Sequence, residues 1–379
     1  MCIQMEKYKR PDGVYDLDPI LRVGAQYNLI FGERSNGKTY AVIQHILENY
    51  HKSGEQGAYI RRFVEDMRTK EANELCAGHV ANGHLYLITE GQWTNVYYYS
   101  QRWYLCRYEE TTKGNTIRIT DETPFMYGFA ITSWEHSKGS SYPKITTVFF
   151  DEFMTRNGYI TDEFVMFMNL LSTIIRRRDN VTIFMCANTV NKMCPYFDEM
   201  GLRHVRQMKQ GDIDVYRIKH GPSKKYLQIA VEYCAPSTKG KASDFYFCFD
   251  NKKLEMITNG IWEIGVYPHC PIKYKPKDIL FTYFIEFDKQ LLQCEIVRKD
   301  NDYFTFIHRK TTELKNPDTD IVYSQTFDAR PNWKRKITKP RTNIEKKIAS
   351  FYMNDKIFYQ DNEVGETVRN YLMWCGKAV

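Results

Sequence analysis

Residues 26–39 read Gln-Tyr-Asn-Leu-Ile-Phe-Gly-Glu-Arg-Ser-Asn-Gly-Lys-Thr. An apolar strand, Tyr27 to Phe31, runs into Gly32-x-x-x-x-Gly37-Lys38-Thr39, and a helical pattern follows from Tyr40 to Tyr50. Strand, glycine loop and helix in this order form a phosphate cradle. Two glycines let backbone N–H groups of residues 32–39 curl around a phosphate chain, and the positive end of the next helix points at the same charge. On this reading Gly32, Glu33, Arg34, Ser35, Asn36 and Gly37 line a triphosphate. Lys38 reaches its β- and γ-phosphates, and the Thr39 hydroxyl holds Mg²⁺.

The second landmark is Ile145-Thr146-Thr147-Val148-Phe149-Phe150-Asp151-Glu152. A continuous apolar run of this kind predicts a strand buried on both faces of a parallel sheet. It ends in two acids with different jobs: Asp151 holds Mg²⁺ through water, and Glu152 polarises the attacking water. Val181–Ala187 predicts a neighbouring strand whose polar tip, Asn188, senses the γ-phosphate. A helix capped by Thr161 carries Phe164, Phe167, Met168, Leu171, Ile174 and Ile175 at core-face spacing. It ends in Arg176-Arg177-Arg178, with Arg176 projecting away from the apolar face.

The rest of the chain sets the frame. At 379 residues, two domains are expected. The composition is that of a globular chain, 43% hydrophobic and 26% charged. A net charge of +7 suits a phosphate-rich partner without proving one. Ten cysteines are scattered without C-x-x-C spacing, which predicts reduced thiols and no zinc site. No signal peptide and no membrane-length apolar run is expected. The polar start, residues 1–25, precedes the first strand, where it would lie over a nucleotide base. Ala58–Arg62 predicts a short strand at whose end Arg61 or Arg62 meets phosphate or a neighbouring subunit, or is simply solvated. Residues 64–75 read as helix. Leu85–Thr89, Asn95–Tyr108 and Thr116–Thr132 read as strands of a β-rich insertion. His136–Pro143 reads as a flexible loop with Lys138 free to reach outward. Arg203–Tyr233 is strand-like and basic, and residues 235–243 form a hinge. Ile279–Phe287, Leu291–Arg298 and Tyr303–His308 predict a β-meander. A basic run from Lys334 to Lys347 either contacts nucleic acid or is solvated. Helices at about 343–353 and 362–374 close the chain.

These motifs, in this order and at this spacing, resemble the DNA-packaging (encapsidation) ATPases of phi-29-like small tailed phages. The resemblance rests on Gly32–Thr39, Tyr59–Arg62, Trp134 through Lys138 to Pro143, Val148–Phe153, residues 157–160, Leu170–Arg178, and Asn188 to Phe197. It covers most of residues 26–197 and is looser beyond. It implies an α/β fold: a P-loop NTPase core of the additional-strand class, with a central mainly parallel sheet and a β-rich insertion. A smaller C-terminal α+β domain, RNase H-like and vestigial, completes it. The expected layout is a motor domain over 1–235, a linker over 236–270 and the vestigial domain over 271–379.

The resemblance assigns Lys38 and Thr39 to triphosphate and metal, Asp151 to Mg²⁺ and Glu152 to catalysis. It makes Arg176 a trans-acting arginine finger, with Arg178 as a fallback in register. Lys138 becomes a second basic group reaching the neighbouring site. The cofactors implied are ATP and Mg²⁺. The partners implied are double-stranded DNA, the portal (connector) of a prohead, and further copies in a homo-oligomeric ring, a pentamer by resemblance. Some relatives also use a packaging RNA, which nothing in this sequence shows. The place of action implied is the host cytoplasm, transiently at the portal vertex, with no membrane. Glu286, Asp288 and Glu295 near the meander do not follow a two-metal nuclease pattern. The residues alone leave open a capsid-independent translocase or helicase, a non-hydrolysing nucleotide switch, and a terminase-type nuclease.

Overall fold

The computed structural model describes residues 15–133, 139, 141–155, 159–160, 162–189, 194–219, 226–235, 267–270, 272–288 and 290–376. The chain divides into two compact units, Met1–Glu263 and Ile264–Val379. All of the expected 235–243 hinge after Ala235, and most of the 236–270 linker, lie outside the described residues, as do Lys138 and Thr161.

In the first unit, helix α1 (Asp18–Leu21) precedes β1 (Tyr27–Gly32), α2 (Lys38–Ser53) and β2 (Gln56–Arg61). Three short helices follow, α3 (Thr69–Glu74), α4 (Ala77–Ala81) and α5 (His84–Ile88). Next come β3 (Asn95–Tyr99), β4 (Arg102–Glu110), β5 (Thr116–Thr120), β6 (Met126–Ala130) and β7 (Ile145–Asp151). The unit continues with α6 (Glu163–Ile175), β8 (Thr182–Asn188), α7 (Pro195–Glu199), β9 (Ile213–Lys219) and β10 (Tyr226–Tyr233). The strands join in the order β3-β4-β6-β2-β7-β8-β1-β10-β9, with β5 paired to β4. The six from β6 to β10 run parallel, and β4 and β9 flank them antiparallel.

All six residues of β1 are buried, because both faces of the sheet are covered. Leu29 and Phe31 point into one apolar cluster with Phe167, Leu170 and Ile174 of α6. Ile30 points into the other with Val42 and Ile46 of α2. β8 stands between the strand that feeds the loop and the strand that ends in the two acids. That interposed strand is what sets the distance between loop and acids.

Several expectations need correction. Leu85–Thr89 is not a strand but the helix α5, which buries His84 and Leu85 and leaves Tyr86 and Leu87 exposed. Four apolar residues in a row do not by themselves separate one helical turn from a strand. Asn95–Tyr108 is a hairpin, broken at Ser100 and Gln101, which both adopt positive φ (49° and 57°). That is the left-handed pair that a two-residue hairpin loop requires, here made without glycine. Thr116–Thr132 likewise splits into β5 and β6. Met168 is 38% exposed and lies off the core face of α6. Asp162 holds the N-cap position of α6. Strand structure in the 203–233 stretch begins only at Ile213.

Arg62 is turned inward rather than out of the strand end. It is buried, pairs with the buried Glu163 at 2.9 Å, and donates to the carbonyls of Glu152 and Phe153. Tyr159 and Phe150 lie 5.2 and 5.5 Å from its guanidinium. Tyr196 donates to the same Glu163 oxygen, Oε1, at 2.8 Å. The end of β7 is thus fastened to the first turn of α6 through one desolvated cation.

The second unit has β11 (Ile279–Phe287), β12 (Gln290–Lys299), β13 (Asp302–Arg309), β14 (Val322–Ser324), β15 (Trp333–Lys334) and β16 (Ile357–Tyr359). Two helices, α8 (Asn343–Met353) and α9 (Asn362–Trp374), complete it at the expected bounds. The order is β15-β14-β11-β12-β13-β16, an antiparallel meander in the centre with parallel strands on both sides. Tyr283 and Tyr352 share a buried hydroxyl contact at 2.8 Å that ties α8 to β11. The basic run is neither bare nor uniformly solvated. Lys334 pairs with the buried Glu345 at 3.2 Å, and Arg335 and Lys336 lie over the Trp374 ring.

Truncating Arg62 leaves Glu163 buried without its counter-charge. Arg62→Ala should therefore lose about 3–5 kcal/mol in urea unfolding, whereas Arg62→Met with Glu163→Leu should recover most of it. An unchanged midpoint for the single variant would contradict the buried-pair reading.

Candidate nucleotide site

The loop after β1 has the backbone a phosphate cradle needs. Gly37 adopts φ +90°, which a side chain would strain. At Gly32 a Cβ would sit 2.8 Å from Cys234 Cβ, so β1 can pass β10 this closely only with glycine there. Ser35 also takes a left-handed φ of 61°. Among the described residues, the backbone N–H groups of Ser35, Asn36 and Gly37 make no hydrogen bond within the protein. Tyr15 supports the loop from the side, its N–H donating to the Asn36 carbonyl at 2.8 Å and its hydroxyl to Glu232 at 2.6 Å. From the polar start of the chain, Tyr15 thus packs on the loop.

Lys38 is buried and curls into the loop, its Nζ donating to the Glu33 carbonyl at 2.6 Å and to Asn36 Oδ1 at 2.9 Å. Burial pushes its ammonium below the ordinary lysine range, opposed by nearby acidic groups that include Asp151 and Glu33. An ammonium held among acceptors inside an N–H-lined loop is suited to phosphate oxygens, which would replace those acceptors.

Thr39 Oγ1 lies 3.2 and 3.3 Å from the two Asp151 carboxylate oxygens. The expected pair is therefore in contact, brought together by the start of α2 and the end of β7. Asp151 is buried and also accepts from Tyr59 Oη at 3.3 Å. Burial raises its pKa to about 6, while Arg61, 3.8 Å away, pulls the other way. A hydroxyl and a carboxylate facing one another are hard oxygen donors that suit Mg²⁺, which takes one or two carboxylates and completes its shell from phosphate and water.

Glu152 follows in the left-handed region at φ 60°, its N–H turned back to Asp151 Oδ1 at 3.1 Å. This reversal points the two carboxylates differently although they are adjacent in sequence. The Glu152 side chain is about half exposed and pairs with Arg61 at 2.8 Å. Arg61 therefore touches both acids and also lies 3.7 Å from Asp66. The sequence reading missed this role for Arg61 and the hydroxyl of Tyr59; the only signal was their place at the tip of the strand beside β7. Asn188, at the tip of β8, pairs in register with Gly32 and so stands beside the loop.

The arginines after α6 separate cleanly. Arg178 donates to the carbonyls of Ile174, Ile175, Pro143 and Ile145 at 2.5–3.0 Å, so it is committed within its own chain. Arg176 is exposed, at a left-handed C-cap with φ 43°. α6 is 13 residues long. At ~1.5 Å per residue its far end lies roughly 20 Å from the Glu163 end that is fastened to the acidic strand.

A glycine loop between strand and helix, an acid pair at the tip of a nearby strand, and one further strand between them give a mixed α/β core with a mostly parallel sheet and the layout of a P-loop nucleotide site. The comparisons with known proteins narrow this. Residues 92–212 match the family model described as Podovirus DNA encapsidation protein (Gp16). That span contains Asp151, Glu152, Arg176 and Asn188 and leaves out the loop. The DNA packaging protein of Bacillus phage B103 is 28% identical over 180 residues, 46% of this chain and 48% of that one. This chain thus spans about half the length of the curated relatives it matches. The fold is similar to a chain of the bacteriophage Phi-29 viral genome packaging motor assembly, with a TM-score of 0.52 at 20% identity over 95% of this chain and 97% of that one. It is also similar to the Phi-28 gp11 DNA packaging motor, with a TM-score of 0.51 at 16% identity over 96% of this chain and 98% of that one.

The Asp151 shift carries a prediction. Its folded-state pKa of about 6 lies above the unfolded value, so the native protein holds a proton there that the unfolded chain has released. This group's contribution to stability is therefore present at low pH and lost as pH rises from about 4 to about 6, on the order of 2 kcal/mol. Asp151→Asn should lose that part of the slope when urea midpoints at pH 4.5 and 7 are compared with wild type; equal slopes would contradict it.

Proposed function

We propose that this protein is an ATP-hydrolysing motor that drives double-stranded viral DNA through a portal into a preformed prohead. The observation that carries the reading is the contact of Thr39 with Asp151, with Glu152 beside it, the two acids lying in a span that matches an encapsidation family. The named relatives and the two packaging-motor structures support the same direction.

Lys38 and the loop N–H groups would hold the triphosphate, with Asn188 at the γ-phosphate side. Thr39 and Asp151 would hold Mg²⁺, which supplies charge neutralisation at the β- and γ-oxygens. Glu152 orients and deprotonates the attacking water once its carboxylate parts from Arg61. That ion pair makes Arg61 the group that holds Glu152 at rest. Arg176, about a helix length away from its own acids, completes the site of the next subunit in a ring. Lys138 would join it there by resemblance. A guanidinium supplied in this way is worth ~10³–10⁵ in rate. Packing changes between subunits would then move the duplex, gripped by its phosphates without regard to sequence. The family likeness favours five subunits and action in the host cytoplasm at the portal vertex; a packaging RNA is a partner of some relatives.

For the second unit we propose a non-cleaving RNase H-like domain. Five of the six strands run in the order β13-β12-β11-β14-β15, with β14 parallel to β11, and β16 adds to the β13 edge. This supports the likeness, and the fate of its acids supports the loss of chemistry. Glu286 accepts from Ser324, and Glu295 is enclosed by Tyr274, Gln293 and His308.

Two measurements test the reading. Lys38→Ala should fold as wild type and lose DNA-stimulated phosphate release; retained turnover would refute the loop assignment. Arg176→Ala should lower turnover at least ~10³-fold, and mixing it with Glu152→Gln subunits should restore part of it. Arg178→Ala should instead lower the unfolding midpoint. If Arg178→Ala removed turnover from a stable ring while Arg176→Ala did not, the finger assignment would be reversed. Packaging itself is scored by DNase protection with proheads, genome ends and ATP.

A further inference from the structure

At the far end of the first sheet from β10 lies a surface the nucleotide site does not use. The strands there alternate. Val96, Tyr98, Trp103, Leu105 and Ile119 turn into or against the apolar cluster shared with α2. The opposite orientation belongs to Tyr97, Tyr99, Arg102, Tyr104, Tyr108 and Arg118. Their register makes one continuous face: Tyr97 is opposite Tyr104, Tyr99 opposite Arg102, and Tyr108 opposite Arg118. Tyr99 is 63% exposed and Tyr108 52%, and both arginines are exposed. The rings of Tyr97 and Tyr99 are parallel within 8°, centroids 6.2 Å apart. The Arg118 guanidinium lies 3.4 Å from the Tyr97 centroid, and Arg102 lies 5.9 Å from that of Tyr127. On β3, β4 and β5 the one acid in this orientation is Glu110, at the last position of β4.

We propose that this face binds unpaired nucleotides of a single-stranded nucleic acid. The exposed rings of Tyr99 and Tyr108 offer π-faces to bases whatever their identity, each worth ~1–3 kcal/mol by alanine substitution. The two arginines offer N–H forks to phosphate beside those rings. A duplex hides the faces of its bases, so it would engage the arginines alone. Tyrosine and arginine also suit protein partners. Here two cations against one terminal acid, on a chain of net charge +7, favour a polyanion. The inference does not rest on ATP hydrolysis.

Fluorescence anisotropy of the full chain without nucleotide tests it. The probes are labelled oligo-dT and oligo-rU of about twenty residues, longer than the ~4–16 nucleotides of comparable sites, and a duplex of equal length. Tyr99→Ala should weaken the single strands roughly tenfold, leave the duplex unchanged, and leave ATP turnover as in wild type. Arg102→Gln should weaken both and reduce the salt dependence. The dT and rU arms separate DNA from RNA as the source. Unchanged single-strand affinity in Tyr99→Ala, or an equal loss on the duplex, would overturn the proposal. So would a change in sedimenting mass with affinity intact, which would assign the face to a protein partner.

Discussion

The contact between Thr39 and Asp151 is the constraint on which the rest of the first unit depends. One residue opens a helix and the other closes a strand two places away in the sheet. For their oxygens to lie 3.2 Å apart, β1, β8 and β7 must run parallel and in step. Continuous apolar strands make that possible, because a sheet buried on both faces fixes register through packing rather than through one solvent-facing alternation. The glycines then finish the loop. Gly32 lets β1 lie against Cys234, and Gly37 turns the chain into α2.

Around that contact the charges are arranged in two layers. Arg62 is fully committed to holding the backbone after β7 against α6, through Glu163 and two carbonyls. Arg61, one residue earlier, faces the other way and touches both acids. A strand alternates its side chains, so adjacent arginines serve opposite sides of the sheet: one structural, one at the site. The same division separates Arg178, bound to carbonyls, from the exposed Arg176.

Much of the site was legible in the sequence because its signals are local. Gly32–Thr39 carries the glycine spacing of a strand–loop–helix turn, and the stretch 145–150 is the continuous apolar run of a buried strand that ends in Asp151 and Glu152. The helices over 343–353 and 362–374 carried clear apolar periodicity. The failures share a cause as well. Leu85–Thr89 offers a few apolar residues that one helical turn or a strand would equally bury. The turn at Ser100-Gln101 lacks the glycine that announces left-handed backbone. Arg61 and Tyr59 act through residues about 90 positions away, a pairing that only the sheet order creates. The tyrosine and arginine face is of the same kind, since it exists only once β3, β4 and β5 are paired.

The most direct measurement is a structure of the protein with a non-hydrolysable ATP analogue and Mg²⁺. The account predicts Lys38 Nζ moved from the Glu33 carbonyl to the β- and γ-phosphate oxygens, and a cation held between Thr39 Oγ1 and the phosphates at ~2.0–2.1 Å, with Asp151 bound to it directly or through water. Nucleotide bound elsewhere, with Lys38 and the Thr39–Asp151 contact undisturbed, would contradict it.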